Sequence, residues 1–384
     1  MTSIWETPER KALRDSVAAL TKKEIVPNLP QWEEDGMLPR ELHQITAKAG
    51  YLGLGFPEEV GGSGGDLVDV TVAAEAMLEA GGSGGVMASL FTHGIAIPHI
   101  VENGSADLID RYVRPTLAGE KIGSLGITEP GTGSDVANIR TRAVRDGDDY
   151  VINGAKMFIT SGVRADFVTT VVRTGEDGHS GLSLIVVDKG TPGFTVSKSL
   201  KKMGWWCSDT AELAYDNVRV PAENLVGEEN QGFYYVMQQF VTERLSLAVQ
   251  AYATAQRCLD LSVEYARQRE TFGRPLITRQ VIRHKLVDMH RRTDAARKVT
   301  RLAVERALET EKTDMSLILD AELAKNTAVE TVEWVANEAV QIHGGMGYMR
   351  ESEVDRHFRD MRILGIGGGA TEVLTDLASK LLGY

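Results

Sequence analysis

The chain has 384 residues, 42% hydrophobic and 25% charged, a balance that suits a soluble protein with room for two or three domains. Its net charge of −12 speaks against nucleic acid as a partner and supplies no basic patch for an anionic membrane. Two cysteines, Cys207 and Cys258, are too few for a disulfide framework, an iron–sulfur cluster or a Cys-rich zinc site, and they fit a reducing compartment. The N-terminus has neither the basic start and apolar core of a secretory signal nor the Arg/Ser-rich character of a transit peptide. The most apolar window, Met87 to Val101, is broken by Thr92, His93, Gly94 and Pro98 and is too short to span a bilayer. The expectation is a cytoplasmic protein without processing or membrane insertion.

Three textures follow one another, at residues 1–121, 122–230 and 231–384. The first is helical. Thr7-Pro8-Glu9 reads as N-cap, first-turn proline and first-turn acid. The run through Ala12, Leu13, Val17, Leu20 and Ile25 has helical spacing and ends at Pro27. Glycine-rich segments at Gly61–Gly65 and Gly81–Gly85 separate further helices, without a true repeat.

The second stretch has short β-branched runs, Tyr150–Ile152, Phe167–Val172 and Leu182–Val187. Turn dipeptides such as Asp146-Gly147, Asn153-Gly154 and Asp177-Gly178 punctuate it. It predicts a small β-barrel or sandwich, and the lack of intervening helices argues against a doubly wound parallel sheet. The third stretch carries three long amphipathic patterns, Thr242–Arg269, Arg279–Glu311 and Ser316–Ile342, which suit an antiparallel four-helix bundle. The fold class expected is therefore α+β multidomain: helical N-terminal domain, β middle domain, helical-bundle C-terminal domain.

Five segments could carry chemistry. Gly126–Asp135 packs glycines, hydroxyls and acids at the entry to the β region, where bare backbone can approach an anion or a flat ring. Alone, it reads more readily as a surface turn. Gly154–Gly162 offers Phe158 and Thr160 beside a planar ligand, or simply a strand with Phe158 and Ile159 on alternate faces. Arg269–Leu276 offers Arg269 to phosphates, or a helix stop with Gly273 as left-handed cap before Pro275. Gln341–Glu351 has glycines at 344, 345 and 347 after a helix. His343 there has no second histidine at ligand spacing, so no metal is expected. Gly365–Ala370 matches G-x-G-x-x-A formally, but no strand precedes it and the chain ends too soon for a dinucleotide-binding βαβ unit.

In joint order and spacing these segments are decisive. Thr128-Glu-Pro-Gly-Thr-Gly-Ser-Asp135, Lys156-Met-Phe-Ile-Thr-Ser-Gly162, Arg269-Glu-Thr-Phe-Gly273 and Gln341–Tyr348, continuing to Glu351, Arg356 and Asp360, resemble the acyl-CoA dehydrogenase family from end to end. The resemblance implies the α–β–α fold, one FAD per subunit, and a homotetramer (a dimer of dimers) whose neighbours complete each other's FAD sites. An acyl-CoA is the implied substrate and an electron-transfer flavoprotein the implied electron acceptor.

Carried over by motif, the backbone of Leu125, Ile127 and Thr128 would face the flavin ring. Gly133 and Ser134 would lie by the FAD pyrophosphate, Ser134 also near the CoA portion. Phe158 would pack on the flavin, where many relatives have Trp, with Ile159 beside it and Thr160 reaching flavin N5. Arg269, Thr271, Phe272 and Gln280, with Gln341, Ile342, Gly344 and Gly345, would make FAD contacts across a subunit interface. Thr371 and Glu372 would sit near the cofactor, and Arg244, Gly368 and Gly369 would border the substrate. Relatives commonly have Arg where Trp206 stands; beside Trp205, it reshapes either a surface or the CoA entrance.

The family chemistry needs a carboxylate base in a water-poor slot. In many members it precedes the Gly-Thr of the late glycine-rich turn, where this chain has Gly368. A carboxylate stands instead in Thr242-Glu-Arg-Leu245, at the start of the first long helical pattern. That resembles the isovaleryl-CoA and long-chain acyl-CoA dehydrogenases, and it makes Glu243 the expected catalytic base. By composition alone, a Glu in a first helical turn is more often a solvated residue that complements the helix dipole. The base position favours branched or medium-to-long acyl chains by resemblance. Two other readings stay open: a flavin oxidase or monooxygenase on the same fold, and an inactive FAD- or acyl-CoA-binding relative that lost its base at 368.

Overall fold

A computed structural model describes residues 3–384. Helices come first: α1 Pro8–Leu20, α2 Leu29–Asp35, α3 Arg40–Lys48, α4 Leu67–Glu79, α5 Gly84–Leu90, and the short α6 His93–Ala96, α7 Pro98–Asn103, α8 Ala106–Leu108 and α9 Arg114–Leu117. The expected cap is present: Thr7 Oγ1 accepts from the Arg10 amide at 3.3 Å, with Pro8 in the first turn. Ser83, in the second glycine-rich segment, caps α5, so Gly84 and Gly85 open that helix instead of lying in a loop. No single helix is long and apolar enough to cross a membrane among the described residues. The bent pair Gly84–Leu90 and His93–Asn103 passes that test jointly. Its Val86, Leu90, Ala96, Ile97 and Ile100 are fully buried inside the protein.

Seven strands follow: β1 Gly123–Gly126, β2 Arg142–Asp146, β3 Asp149–Thr160, β4 Phe167–Arg173, β5 Leu182–Asp188, β6 Phe194–Ser199 and β7 Thr210–Pro221. They form one half-barrel sheet in the order β1-β4-β2-β3-β7-β6, with β5 also on β4. Pairing is antiparallel except along β1–β4 and at one β2–β4 position. Strands β4 and β5 are buried on both faces, which explains their unbroken apolar runs. Phe167, Val171, Leu184 and Val186 join α6–α9, while Val168, Val172, Ile185 and Val187 fill the sheet's own core.

The last third is a bundle of α10 Gly232–Gln268, α11 Gln280–Ala307 and α12 Met315–His343, with α13 Glu353–Asp360 and α14 Thr371–Leu382 packed on it. A two-stranded hairpin, β8 Glu270–Thr271 and β9 Arg274–Pro275, joins α10 to α11. The helical patterns for α11 and α12 match to within a few residues. Helix α10 begins ten residues before the expected Thr242. The aromatic, uncapped opening Gly232-Phe-Tyr-Tyr-Val-Met lacks a start signal, because Gln231 makes no side-chain cap. Glu243 therefore sits about three turns inside α10, not in its first turn, and the dipole-complementing reading of this carboxylate falls away.

Buried charges stitch the regions together. Asp360 of α13 accepts the Trp205 amide at 2.6 Å and the Gly85 amide at 3.2 Å, tying the middle segment and α5 to the bundle. Trp206 lies between two cations, with the Arg350 guanidinium 4.2 Å and that of Arg359 3.6 Å from its ring centre, and its indole N–H donates to Lys202 O at 2.9 Å. It anchors the middle segment to α13. Glu75 of α4 is fully buried and accepts from Arg14, from Arg301 at 2.7 Å and from the Tyr252 hydroxyl at 2.6 Å. Burial pushes this carboxyl up, but Arg301, Tyr252 and Arg14 pull harder and hold it below the usual range. A group depressed in the folded state contributes stability above its unfolded pKa and loses it as pH falls through the folded value. Glu75→Ala should therefore destabilise by about 3–5 kcal/mol at neutral pH in urea unfolding, and its deficit should shrink below the carboxylate range.

Candidate active site

Two clusters of the expected residues lie far apart in one chain. The first surrounds the start of the sheet and the first half of α10. Here the segment after β1 makes a tight turn, with the Glu129 and Thr132 backbones exchanging N–H···O bonds of 2.9 and 3.1 Å. Beneath it is a buried ion pair. Lys156 Nζ donates to Glu129 Oε1 at 2.8 Å and to Ile127 O at 3.0 Å, and the amides of Arg140 and Thr141 each donate to the same carboxylate at 2.8 Å. Burial lowers Lys156 to about 8, against the pull of Glu129. For Glu129, burial pushes up but Lys156 and the added hydrogen bonds win, leaving it below its usual range. The pair fixes the backbone of residues 127–129 against β3.

Strand β3 is not a plain alternation. Its register against β7 shifts between Lys156 and Ile159, and Phe158 takes φ +61°. This bulge throws the Phe158 ring outward, 63% exposed, while Ile159 turns into the sheet core. A bulky residue in the left-handed region is uncommon and collects at functional sites. Ile159 consequently has only its backbone to offer a ligand. Leu125, Ile127, Thr128 and Thr160 keep partly open faces, and Gly133 and Ser134 are exposed. A Cβ added at Gly131 or Gly133 would meet nothing within 4 Å.

Helix α10 brings Glu243 and Arg244 to this region: Ile127 and Phe240 border the same apolar cluster, and the Arg244 guanidinium lies 5.0 Å from the Phe240 ring centre. Glu243 is enclosed by protein yet keeps an accessible face, so it lines a recess. Burial raises its pKa, while Arg244 and Lys325 pull it back down. Arg244 is buried and pairs with Glu322 of α12 at 3.2 Å. Burial outweighs that attraction on both sides, lowering Arg244 and raising Glu322 to about 7.

The late glycine turn closes over this carboxylate. Gly368 has φ +64°, and a Cβ built there would overlap Leu247 Cδ1 and lie 3.5 Å from Glu243 Oε1. So the Glu243 carboxylate reaches the spot from which a side chain at 368 would start. Gly369 has φ +99°, and Lys325 Nζ donates to Gly367 O at 2.7 Å and Gly369 O at 2.5 Å. Thr371 and Glu372 open α14 beside it.

The second cluster is at the other end of the bundle. Arg269, Gln280 and Gln341 are exposed, Thr271 is half-buried, and Phe272 at the hairpin tip is 96% exposed with φ +50°. Gly344 and Gly345 face open space. Ile342 packs into the bundle core, leaving its backbone alone for contact. His343 donates from Nδ1 to Ala339 O at 2.8 Å and stacks on Tyr265, a packing role. About 39 Å of helix, at 1.5 Å per residue, separates Glu243 from Arg269. A single chain thus does not bring the clusters together. Among the described residues no group of three or more His, Cys, Asp or Glu could hold a metal ion.

The chain matches the family models described as acyl-CoA dehydrogenase N-terminal domain over residues 7–120, middle domain over 124–218 and C-terminal domain over 230–382. The chain belongs to the acyl-CoA dehydrogenase family. It is 37% identical to the mitochondrial long-chain specific acyl-CoA dehydrogenase of Rattus norvegicus over 97% of this chain and 86% of that one. Among solved structures, it is similar to a putative acyl-CoA dehydrogenase from Mycobacterium smegmatis at TM-score 0.97 and 62% identity, covering 99% of each chain. Butyryl-CoA dehydrogenase from Megasphaera elsdenii superposes at TM-score 0.92 and 33% identity, again over 99% of each. The chain is accordingly an FAD-dependent oxidoreductase acting on acyl-CoA. The residues present fit that cofactor: an outward aromatic at Phe158, uncovered glycine backbone at 131, 133, 344 and 345, and a locked backbone at 127–129.

Sequence reasoning missed Lys325, Glu322 and the Lys156–Glu129 pairing. A signal existed for Lys325, which shares the core-facing stripe of Ala321, Ala324, Ala328 and Val332 on α12, where a cation needs a reason. The geometry at Gly368 predicts a measurable strain. Gly368→Ala must displace Leu247 and hold a left-handed alanine, so it should lower stability by about 1–3 kcal/mol in thermal unfolding.

Proposed function

We propose that the chain catalyses α,β-dehydrogenation of an acyl-CoA thioester to the trans-2-enoyl-CoA, with Glu243 as the base. The observation that carries this reading is the Glu243 carboxylate 3.5 Å from the Cβ position of Gly368. The α C–H bond breaks with its proton passing to a Glu243 oxygen, its electrons form the new C=C bond, and the β hydrogen leaves with its electron pair. FAD, when bound, supplies the two-electron acceptor for that hydride. Phe158, the backbone of Leu125, Ile127 and Thr128, Thr160, and Thr371 and Glu372 would hold the flavin end in the same chain. Gly133 and Ser134 would serve the pyrophosphate or the CoA portion. Arg269, Thr271, Phe272, Gln280, Gln341 and the 342–345 backbone would hold FAD of a neighbouring subunit in a homotetramer, and the long separation from Glu243 supports that division. The substrate proposed is branched or medium-to-long, and the acceptor an electron-transfer flavoprotein.

A recessed base with a raised proton affinity suits α-proton abstraction and gives the oxidase and inactive-relative readings no special support. Glu243→Gln should retain FAD but slow anaerobic flavin bleaching by isovaleryl-CoA or palmitoyl-CoA by about 10²–10⁴-fold; normal bleaching would remove the assignment. Because Glu243 must be ionised to accept a proton, the bleaching rate of the parent protein should climb with pH through an acid limb above the ordinary carboxylate range.

A further inference from the structure

We propose that Lys325 is a positioning residue for the base: from inside α12 it clamps the glycine turn by the carbonyls on either side of Gly368 and holds a positive charge toward Glu243. The inference deepens the proposed function and rests on Glu243 as base.

The argument begins with burial. Lys325 is fully enclosed, and an ammonium there is expensive unless something on the protein requires it. Its hydrogen-bond partners are two neutral carbonyls, Gly367 O and Gly369 O, at 2.7 and 2.5 Å. Two carbonyls satisfy its donors but do not neutralise its charge. The nearby carboxylate that attracts it is Glu243, while Arg244 repels it; burial is the largest influence and lowers Lys325 to about 8. The two contacts therefore act on one point. The carbonyls fix Gly367–Gly369, and Gly368 is the residue facing Glu243 Oε1.

The charged groups around Glu243 divide by element. On α10 there is Arg244; on α12 there are Lys325 and, beyond Arg244, Glu322. The glycine turn brings no titratable side chain, and Glu372 at the start of α14 is exposed. Since Arg244 shares its charge with Glu322 at 3.2 Å, Lys325 is, among the described residues, the cation of this recess that makes no ion pair of its own. Its charge favours the ionised form of Glu243 against the burial that disfavours it.

A merely structural clamp would stabilise the turn and leave Glu243's proton affinity alone, so charge and hydrogen bonding must be separated. Lys325→Gln keeps a donor for the turn and removes the charge. Lys325→Met removes both, and Lys325→Arg keeps the charge. The readout is the infrared titration of the Glu243 carboxyl in the FAD-loaded, full-length protein, assigned as the ¹³C-glutamate band lost in Glu243→Gln. The expected result is a midpoint about one unit higher in Lys325→Gln with FAD content retained, and a midpoint near that of the parent in Lys325→Arg. An unmoved midpoint in Lys325→Gln, with only lowered thermal stability in Lys325→Met, would overturn the proposal. Should neither neutral variant fold, the parent decides: the Glu243 carboxylate band should shift a second time as Lys325 titrates near pH 8, and no second shift by pH 10 would overturn it. If Glu243→Gln bleaches normally with substrate, the base assignment fails separately, because the titration reads the Lys325–Glu243 coupling without turnover.

Discussion

One long helix sets the positions of everything else. Helix α10 runs 37 residues, about 55 Å. Its first half packs against the sheet and the N-terminal helices, and its second half against α11 and α12. It thereby holds the sheet, Glu243 and the distant hairpin in fixed relation, with α12 packed along it. Its buried face is accordingly mixed. Small residues such as Ala248, Ala251 and Ala255 allow close approach of neighbours, while Gln239, Arg244 and Tyr252 reach polar groups on other elements.

The recess at Glu243 is a place where burial pushes charges toward neutrality without eliminating them. Both carboxyls there have raised proton affinity, and both cations have lowered affinity. Four ionisable side chains on two adjacent helices thus lie nearer to the working range than they would in water. A carboxylate in this setting is responsive to its neighbours in a way that a solvated one is not. Polar groups of this kind give weak net stability but a high penalty for removing one partner, so they constrain which side chains the site can tolerate.

Much of the fold was legible because its elements announce themselves. Alternating textures, the Thr7-Pro8 start and the stripes of α11 and α12 all follow local rules. The start of α10 was not legible: aromatic residues and an uncapped Gln231 carry no helix signal, and tertiary packing decides the boundary. That error mattered, because it put Glu243 in a first turn. At the site, Glu243 could be named from motif spacing, but its meeting with Gly368 could not, since the two are 125 positions apart in the chain. Phe158 was named, yet its exposure comes from a bulge that an alternating pattern hides. For Ile159 and Ile342 the motif spacing does not show that the side chains turn inward to fill cores and leave only backbone for contact. Lys325 was visible as a cation in an alanine-rich stripe, but only the folded turn gives it an object.

The distance between the two clusters has a consequence for how the protein matures. Each subunit can finish folding with its own core complete and still expose Phe272, Tyr348 and bare glycine backbone at the far end of its bundle. Under the proposed shared cofactor site, that end is half of a site whose other half belongs to a different molecule. Cofactor affinity is then a property of subunit concentration, and dilution would empty the flavin sites without unfolding any chain. Assembly and cofactor loading become a single equilibrium, so the population of active enzyme would respond to expression level more steeply than in proportion.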